Sequence, residues 1–210
     1  MVYVFAAYSA TYCLSQIISD HEACLPEWCI KKAGRYAIES DACNFLLGKI
    51  LLLKGMRKLG YFNIGLDDLC FTEFSKPYLN NDLSFNIAHS GNYVVCALSQ
   101  TCTVGIDLEE VKSIEIDNFL SCFSAGEWVH LTNSADPLSA FYKLWTRKEA
   151  VIKADGRGLQ IPLSSFEVID RHVSINSCDW FINELPIASG YIAHIATDRI
   201  CDNQFIQLLM

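Results

Sequence analysis

The order of elements along this 210-residue chain predicts an α+β fold. Three observations carry it. Residues 35–58 hold an apolar stripe at helical spacing. Asp136-Pro137 opens a second helical pattern. Short strand-like runs, the first of them a hairpin, follow each helix. Long helices set beside hairpin-type strands build the helix-on-sheet layers of that class. Helix-then-strands occurs in each half, but identity between the halves is too low to show a duplication.

Residues 2–8 alternate loosely and read as the first strand. In the helix over 35–58, Leu46, Leu47, Ile50 and Leu51 form one stripe, with Gly60 beyond its end. Leu83–Ala88 and Tyr93–Leu98 read as strands joined at Ser90-Gly91-Asn92, a hairpin signal. Thr103–Leu108 is a further strand. Ser124-Ala-Gly-Glu127 has capping-box spacing and predicts a short helix. Asp136 then reads as an N-cap before proline at the first helical position, with the helix running to about Ala154 and stopping at Gly156. Strands are expected at 165–169, 173–175, 180–183 and 191–197.

Composition narrows the function. Half of the residues are apolar and 19% are charged, which describes a globular chain. A net charge of -8 argues against a general nucleic-acid binder. The ten cysteines are scattered with no C-x-x-C, so they read as small buried hydrophobes in a reducing compartment rather than a disulfide or zinc framework. The apolar N-terminus has no cationic region and no apolar run reaches membrane-spanning length. The expectation is a cytoplasmic protein with no nucleic-acid or membrane partner.

Two stretches carry chemistry. In Val104-Gly-Ile-Asp-Leu-Glu109, Asp107 and Glu109 lie two apart on a strand and share a face, while Ile106 and Leu108 point to a core. Paired carboxylates repel unless a cation or proton lies between them, and hard oxygen donors suit Mg²⁺ or Mn²⁺. A solvated acidic strand end is the ordinary reading of the same residues. Gly105 permits close approach of a ligand or another backbone. On the second helix, Trp145, Glu149, Ile152 and Lys153 share a face. Glu149 there is either a paired or metal-bound carboxylate, or one half of a surface pair with Lys153. Asp155-Gly-Arg-Gly-Leu159 is a flexible turn for a phosphate-bearing ligand or a plain helix C-cap.

Together, Gly105-Ile-Asp-Leu-Glu109 and Trp145-Thr-Arg-Lys-Glu-Ala-Val-Ile-Lys-Ala-Asp-Gly-Arg-Gly-Leu159 resemble the signature of the 4′-phosphopantetheinyl transferases, of the larger Sfp-like type. Ser75-Lys-Pro77 and Phe85-Asn-Ile-Ala-His-Ser-Gly91 resemble the family's G-K-P and F-N-[IL]-S-H-[ST]-x segments. The resemblance covers about residues 30–170. It implies a monomeric pseudo-dimer of two similar α/β halves about an intramolecular two-fold, 1–102 and 103–210, with the active site between them. It implies Asp107, Glu109 and Glu149 as Mg²⁺ ligands, with Mn²⁺ as the alternative ion. Lys153 falls on the pyrophosphate position, and Lys32, Arg35, Lys76 and His89 on positions that bind coenzyme A phosphates. Glu127 falls on an acidic position near the metal. Three departures stand out: Ala88 for a serine, Ser75 for a glycine, and Asn44 for an arginine.

The implied reaction moves 4′-phosphopantetheine from coenzyme A to a serine of an apo carrier protein, acyl or peptidyl, and releases adenosine 3′,5′-bisphosphate. Large enzymes of this type serve peptide-synthetase or polyketide carriers, some also fatty-acid synthesis. Charge stabilisation is the main catalytic need. The general base is either Glu149 or a water held by Glu127 or Glu149. A non-catalytic coenzyme A or carrier binder and a metal-dependent nucleotide pyrophosphohydrolase are the competing readings.

Overall fold

A computed structural model describes the backbone of residues 1–207 and the side chains of residues 1–202. The expected C-terminal half thus has residues 208–210 outside the described residues. The first strand, β1 (Val2–Tyr8), leads into α1 (Leu14–His21), α2 (Glu27–Ala33) and the long α3 (Glu39–Lys58). A two-stranded ribbon follows, β2 (Leu69–Phe71) and β3 (Pro77–Leu79), and then the predicted hairpin, β4 (Ser84–Ser90) and β5 (Tyr93–Ser99). Ser90 pairs with Tyr93 across the two-residue loop Gly91-Asn92, where Gly91 takes φ 52°. A positive φ of this kind is what a tight hairpin loop asks of its first residue.

Helix α3 buries Leu46, Leu47, Ile50 and Leu51 as the stripe predicts, against Phe5, Phe85 and Leu98 of the sheet. It begins at Glu39, four residues later than the periodicity indicates. The preceding residues belong to α2, which closes at Gly34 and hands over through 35–38. Only Cys29 and Ala33 of α2 are buried, one i,i+4 pair, too little to register as a stripe. The acids Glu39 and Asp41 lie in the first turn of α3, where the helix dipole favours negative charge.

The second part of the chain holds β6 (Val104–Glu110), α4 (Ala125–Thr132), α5 (Pro137–Asp155), β7 (His172–Ile175), β8 (Cys178–Glu184) and β9 (Tyr191–Thr197). These strands form an antiparallel sheet in the order β6-β9-β8-β7. A last strand, β10 (Asn203–Gln207), returns to pair in parallel with β1, giving the order β10-β1-β5-β4 in the first sheet. Both predicted caps are present. Ser124 Oγ accepts from the Glu127 amide at 3.1 Å while Glu127 Oε2 accepts from the Ser124 amide at 3.0 Å. Asp136 Oδ1 accepts from the Ser139 amide at 3.0 Å, and α5 ends at Gly156 with φ 93°.

One core lies under α3 and one under α5; a third joins the two sheets. The joining core takes Val2, Val4 and Ala6 of β1, Val95 and Ala97 of β5, and Val104, Ile106 and Leu108 of β6. Beside it runs a polar seam. Ser84 Oγ accepts from the Val104 amide at 3.1 Å, Asn86 Oδ1 from the Ile106 amide at 2.9 Å, and Ser90 Oγ from the Glu110 amide at 3.1 Å. Alternate residues of β4 thus cover the amides of β6, the edge strand of its sheet, and blunt that edge. Ala88 lies in the same row, buried in the joining core.

The strand expected at 165–169 does not form. Its backbone groups are taken by side chains instead. Lys148 Nζ donates to the Leu163 and Phe166 carbonyls at 2.7 and 2.6 Å, and Arg147 Nη1 to the Val168 and Ile169 carbonyls at 3.0 and 2.9 Å. The Val168 amide donates to Glu127 Oε1 at 2.8 Å. Extended, apolar sequence of this sort needs partners for its backbone, and here helix side chains supply them. The ten cysteines are unpaired; Cys29, Cys43, Cys96 and Cys102 are buried as expected, whereas Cys13, Cys24 and Cys178 are exposed. Among the described residues no helix is long and apolar enough to cross a membrane.

Lys148 and Glu127 form an ion pair at 2.7 Å with both side chains fully buried. Removing one partner leaves the other charge desolvated without compensation, at a cost of roughly 3–5 kcal/mol. Glu127→Ala is therefore expected to lose that much stability in urea denaturation. Replacing both partners with apolar residues is not expected to recover it, because the Leu163 and Phe166 carbonyls and the Val168 amide would lose their partners as well.

Candidate active site

Gly105 sets the spacing of the site. A Cβ there would collide with the Ala150 carbonyl and the Ala154 backbone, so its absence lets α5 lie directly on β6. Glu149 and Lys153, on that side of α5, then stand beside Asp107 and Glu109. Lys153 Nζ pairs with Asp107 Oδ1 at 2.5 Å. Asp107 is 4% exposed, and its other oxygen, Oδ2, is buried with no hydrogen-bond partner. Burial pushes its carboxyl up to about 7; Lys153 pulls the other way, and the charges of Glu109 and Glu149 add to the rise. Glu149 is half-buried and also raised, first by burial, with Lys153 opposing and Glu109 adding. Among the described residues no hydrogen bond or ion pair holds its carboxylate.

Glu109 Oε2 accepts a hydrogen bond from Ser90 Oγ at 2.7 Å. His89, the preceding residue on β4, is in the same field. Its side chain is exposed, yet partial desolvation lowers its pKa first, Lys153 adds to that, and Asp41 and Glu109 oppose it. The structure therefore brings Asp107, Glu109, Glu149, Lys153 and His89 into one electrostatic neighbourhood from three elements, β6, α5 and β4.

The oxygen donors and the unpartnered buried Oδ2 fit a hard divalent cation, because such an atom is costly until a donor or cation meets it. Among the described residues no three His, Cys, Asp or Glu side chains converge closely enough to enclose an ion. In the structure Lys153 supplies the positive charge at Asp107.

Lys76 stands on the tight turn that joins β2 to β3. The turn is closed by Ser75 N to Thr72 O at 2.9 Å and Lys76 N to Thr72 Oγ1 at 3.1 Å. Ser75 takes φ 63°, the left-handed region that favours glycine, which accounts for the glycine of the family pattern at this place. Lys76 Nζ reaches across to the Ala154 carbonyl at the end of α5, at 2.7 Å. Burial brings its pKa down to about 8 against the pull of Asp155. A cleft of about 540 Å³ opens here, lined by Phe74, Lys76, Tyr78, Phe85, Thr103 and Arg157 among others. Arg157 itself forks onto the Asp155 carboxylate at 2.6 and 2.8 Å, so the Gly156–Gly158 turn is a capped helix end with its arginine held in place.

The N-terminal basic residues are arranged differently from one another. Lys32 Nζ lies 5.0 Å from the centroid of the Phe45 ring, and Lys49 Nζ lies 5.4 Å from the same ring. Among the described residues neither makes an ion pair. The Lys49 pKa is lowered by burial first, and Lys32 adds to the fall. Lys49 carries no motif, and only the fold of α2 onto α3 reveals it. Arg35 is exposed in the link between those helices. Asn44 is buried, and its Nδ2 donates to the Gly91 carbonyl at 3.1 Å. Ala88 likewise faces the joining core, so the serine it replaces in the family pattern is missing from the seam with β6. Glu127 is committed through both oxygens to Lys148 and the Ser124 and Val168 amides, with none of the Asp107 group among its partners.

Residues 103–201 match the family model of the 4′-phosphopantetheinyl transferase superfamily. The chain is 34% identical over 174 residues to the 4′-phosphopantetheinyl transferase Sfp of Bacillus subtilis (strain 168), covering 77% of this chain and 76% of that protein. It is 39% identical over 136 residues to the 4′-phosphopantetheinyl transferase gsp of Aneurinibacillus migulanus, covering 63% of this chain and 56% of the relative. A putative 4′-phosphopantetheinyl transferase of Haemophilus influenzae is 31% identical over 181 residues. The chain belongs to the 4′-phosphopantetheinyl transferase superfamily, a family of transferase enzymes.

Proposed function

We propose that this protein moves the 4′-phosphopantetheine arm of coenzyme A to a serine of an apo carrier protein and releases adenosine 3′,5′-bisphosphate. The observation that carries the reading is the meeting of Asp107 and Glu109 on β6 with Glu149 and Lys153 on α5, with His89 alongside. Asp107, Glu109 and Glu149 are the residues to hold Mg²⁺, or Mn²⁺ in its place. Bound there, the ion supplies charge neutralisation for the pyrophosphate. The binding-only and pyrophosphohydrolase readings have no support from the relatives, which are named as transferases.

The chain's own residues account for the rest. Lys153 pairs with a carboxylate in the free protein and turns to the substrate pyrophosphate when one is present; an ammonium on a four-carbon stem makes that exchange at little cost. Lys76 and His89 add donors to the coenzyme's phosphates. Lys32 and Lys49, two ammonium groups over one ring with no carboxylate between them, suit the remaining phosphate monoester, with Arg35 near by in sequence. Glu127 is occupied in the buried pair, which leaves Glu149, directly or through a water, to take the proton of the carrier serine. The two halves, 1–102 and 103–210, form a pseudo-dimer with this site between them. The unpaired cysteines fit a reducing compartment such as the cytoplasm, and the reading takes the chain as a monomer.

With Mg²⁺ and coenzyme A, the purified protein is expected to load apo carriers with the phosphopantetheine mass in a mass-spectrometric assay, run against one peptidyl, one polyketide and one fatty-acid carrier. Asp107→Asn is expected to stop loading by at least about 100-fold while circular dichroism stays unchanged. Loading of none of the three carriers by folded protein, or full activity of the variant, contradicts the assignment.

Lys49→Ala is expected to raise KM for coenzyme A about tenfold, a change of roughly 1.4 kcal/mol. The same change is expected to leave KM for 3′-dephospho-coenzyme A alone. An equal rise for both substrates rules out the monoester role.

The depressed pKa of Lys76 gives a pH signature. Its charge is present below about 8 and is lost as pH rises through that value. The kcat/KM for coenzyme A should therefore fall above about pH 8, and Lys76→Arg, which stays charged, should move that limb upward.

A further inference from the structure

The geometry points to Ser90 as a positioning residue that presets Glu109 for the cation; this inference rests on the metal reading proposed above. A serine hydroxyl has one proton to give and lone pairs to receive with. Here the Glu110 amide already donates to Ser90 Oγ at 3.1 Å. The hydroxyl proton is then free to point at Glu109 Oε2, 2.7 Å away. One hydroxyl thus reads the backbone of β6 and the carboxylate that β6 carries, and it ties Oε2 to a fixed place. Glu109 Oε1 takes no hydrogen bond among the described residues and is the oxygen left to face a cation.

Ser90 is well placed to do this because the hairpin tip behind it is held from three sides. Asn44 Nδ2 donates to the Gly91 carbonyl at 3.1 Å, the Asn92 amide to Tyr191 Oη at 3.2 Å, and the Ser9 amide to the Asn92 carbonyl at 2.7 Å. A Cβ at Gly91 would collide with the Glu110 carboxylate and the Tyr191 hydroxyl, so the tip sits tight on β6 and β9. A carboxylate oriented by a hydroxyl that is itself fixed loses little freedom when it takes up an ion, and removing such an outer partner weakens metal binding by about 10–100-fold.

The seam between β4 and β6 provides its own control. Ser84 Oγ accepts from the Val104 amide at 3.1 Å, the same bond that Ser90 makes with Glu110, but among the described residues Ser84 makes no hydrogen bond to a carboxylate. A purely structural role for Ser90 predicts equal effects from the two serines.

The experiment is a Mn²⁺ titration of the full chain with coenzyme A present, following free Mn²⁺ by electron paramagnetic resonance, beside the Mg²⁺ concentration for half-maximal carrier loading. Ser90→Ala is expected to raise both about tenfold, with kcat at saturating Mg²⁺ within about twofold of wild type. Ser90→Thr is expected to restore both, and Ser84→Ala to leave the Mn²⁺ affinity unchanged. Ser90→Cys keeps the shape with a weak donor and should fall between, which covers the case in which the alanine variant does not fold. Wild-type Mn²⁺ affinity in folded Ser90→Ala or in Ser90→Cys, or an equal loss in Ser84→Ala, overturns the inference and leaves the metal assignment standing. Failure of the wild-type protein to bind Mn²⁺ at all overturns the metal assignment, and this inference with it.

Discussion

The site depends on how closely α5 can lie on β6, and a missing side chain decides that. Gly105 lets the backbone of Ala150 and Ala154 come into contact with the strand. At an ordinary helix-on-sheet distance of about 10 Å, carboxylates on the two elements would be separated by a layer of side chains. With that layer absent at Gly105, the next residue on the same strand face, Asp107, meets Lys153 directly. The other face of β6 is apolar and closes the core between the sheets. One seven-residue strand is therefore both the hub of the fold and the platform of the site.

That platform carries an electrostatic debt. Three acidic groups and one lysine share a half-buried space, and burial raises two of the acids above their ordinary range. Lys153 relieves one oxygen of Asp107 and leaves the other without a partner. A buried oxygen in this condition is costly until a donor or a cation meets it. The balance also explains why the lysine belongs on the same helical face as Glu149. It keeps the carboxylates from driving α5 away from β6.

What the sequence made legible follows from local rules. Strand periodicity placed Asp107 and Glu109 on one face, helix periodicity did the same for Glu149 and Lys153, and caps at Ser124, Asp136 and Gly156 marked the helix ends. What was hidden depends on contacts distant in the chain. Glu127 looks the same in a motif whether it faces a metal or closes a buried pair with Lys148. Residues 165–169 have strand-like composition, and nothing local says that Arg147, Lys148 and Glu127 will take their backbone groups. Lys49 acquires meaning only when α2 brings Lys32 to the same ring. β10 has no local signal because its partner, β1, lies at the far end of the sequence.

The departures from the family pattern are best understood in the same way. By motif position, Ala88 and Asn44 look like losses from the coenzyme A grip. By structure, both belong to the machinery that holds β4 against its neighbours. Ala88 is the apolar member of a row whose other members, Ser84, Asn86 and Ser90, bond to β6 amides. A methyl group there exchanges one hydrogen bond, worth about 1 kcal/mol net, for burial in the core between the sheets. Asn44 ties the hairpin tip. The family pattern has an arginine at this point of α3. The exchange therefore moves positive charge away from that turn. Lys49 stands a little over one turn further along α3, beside Lys32 over the Phe45 ring.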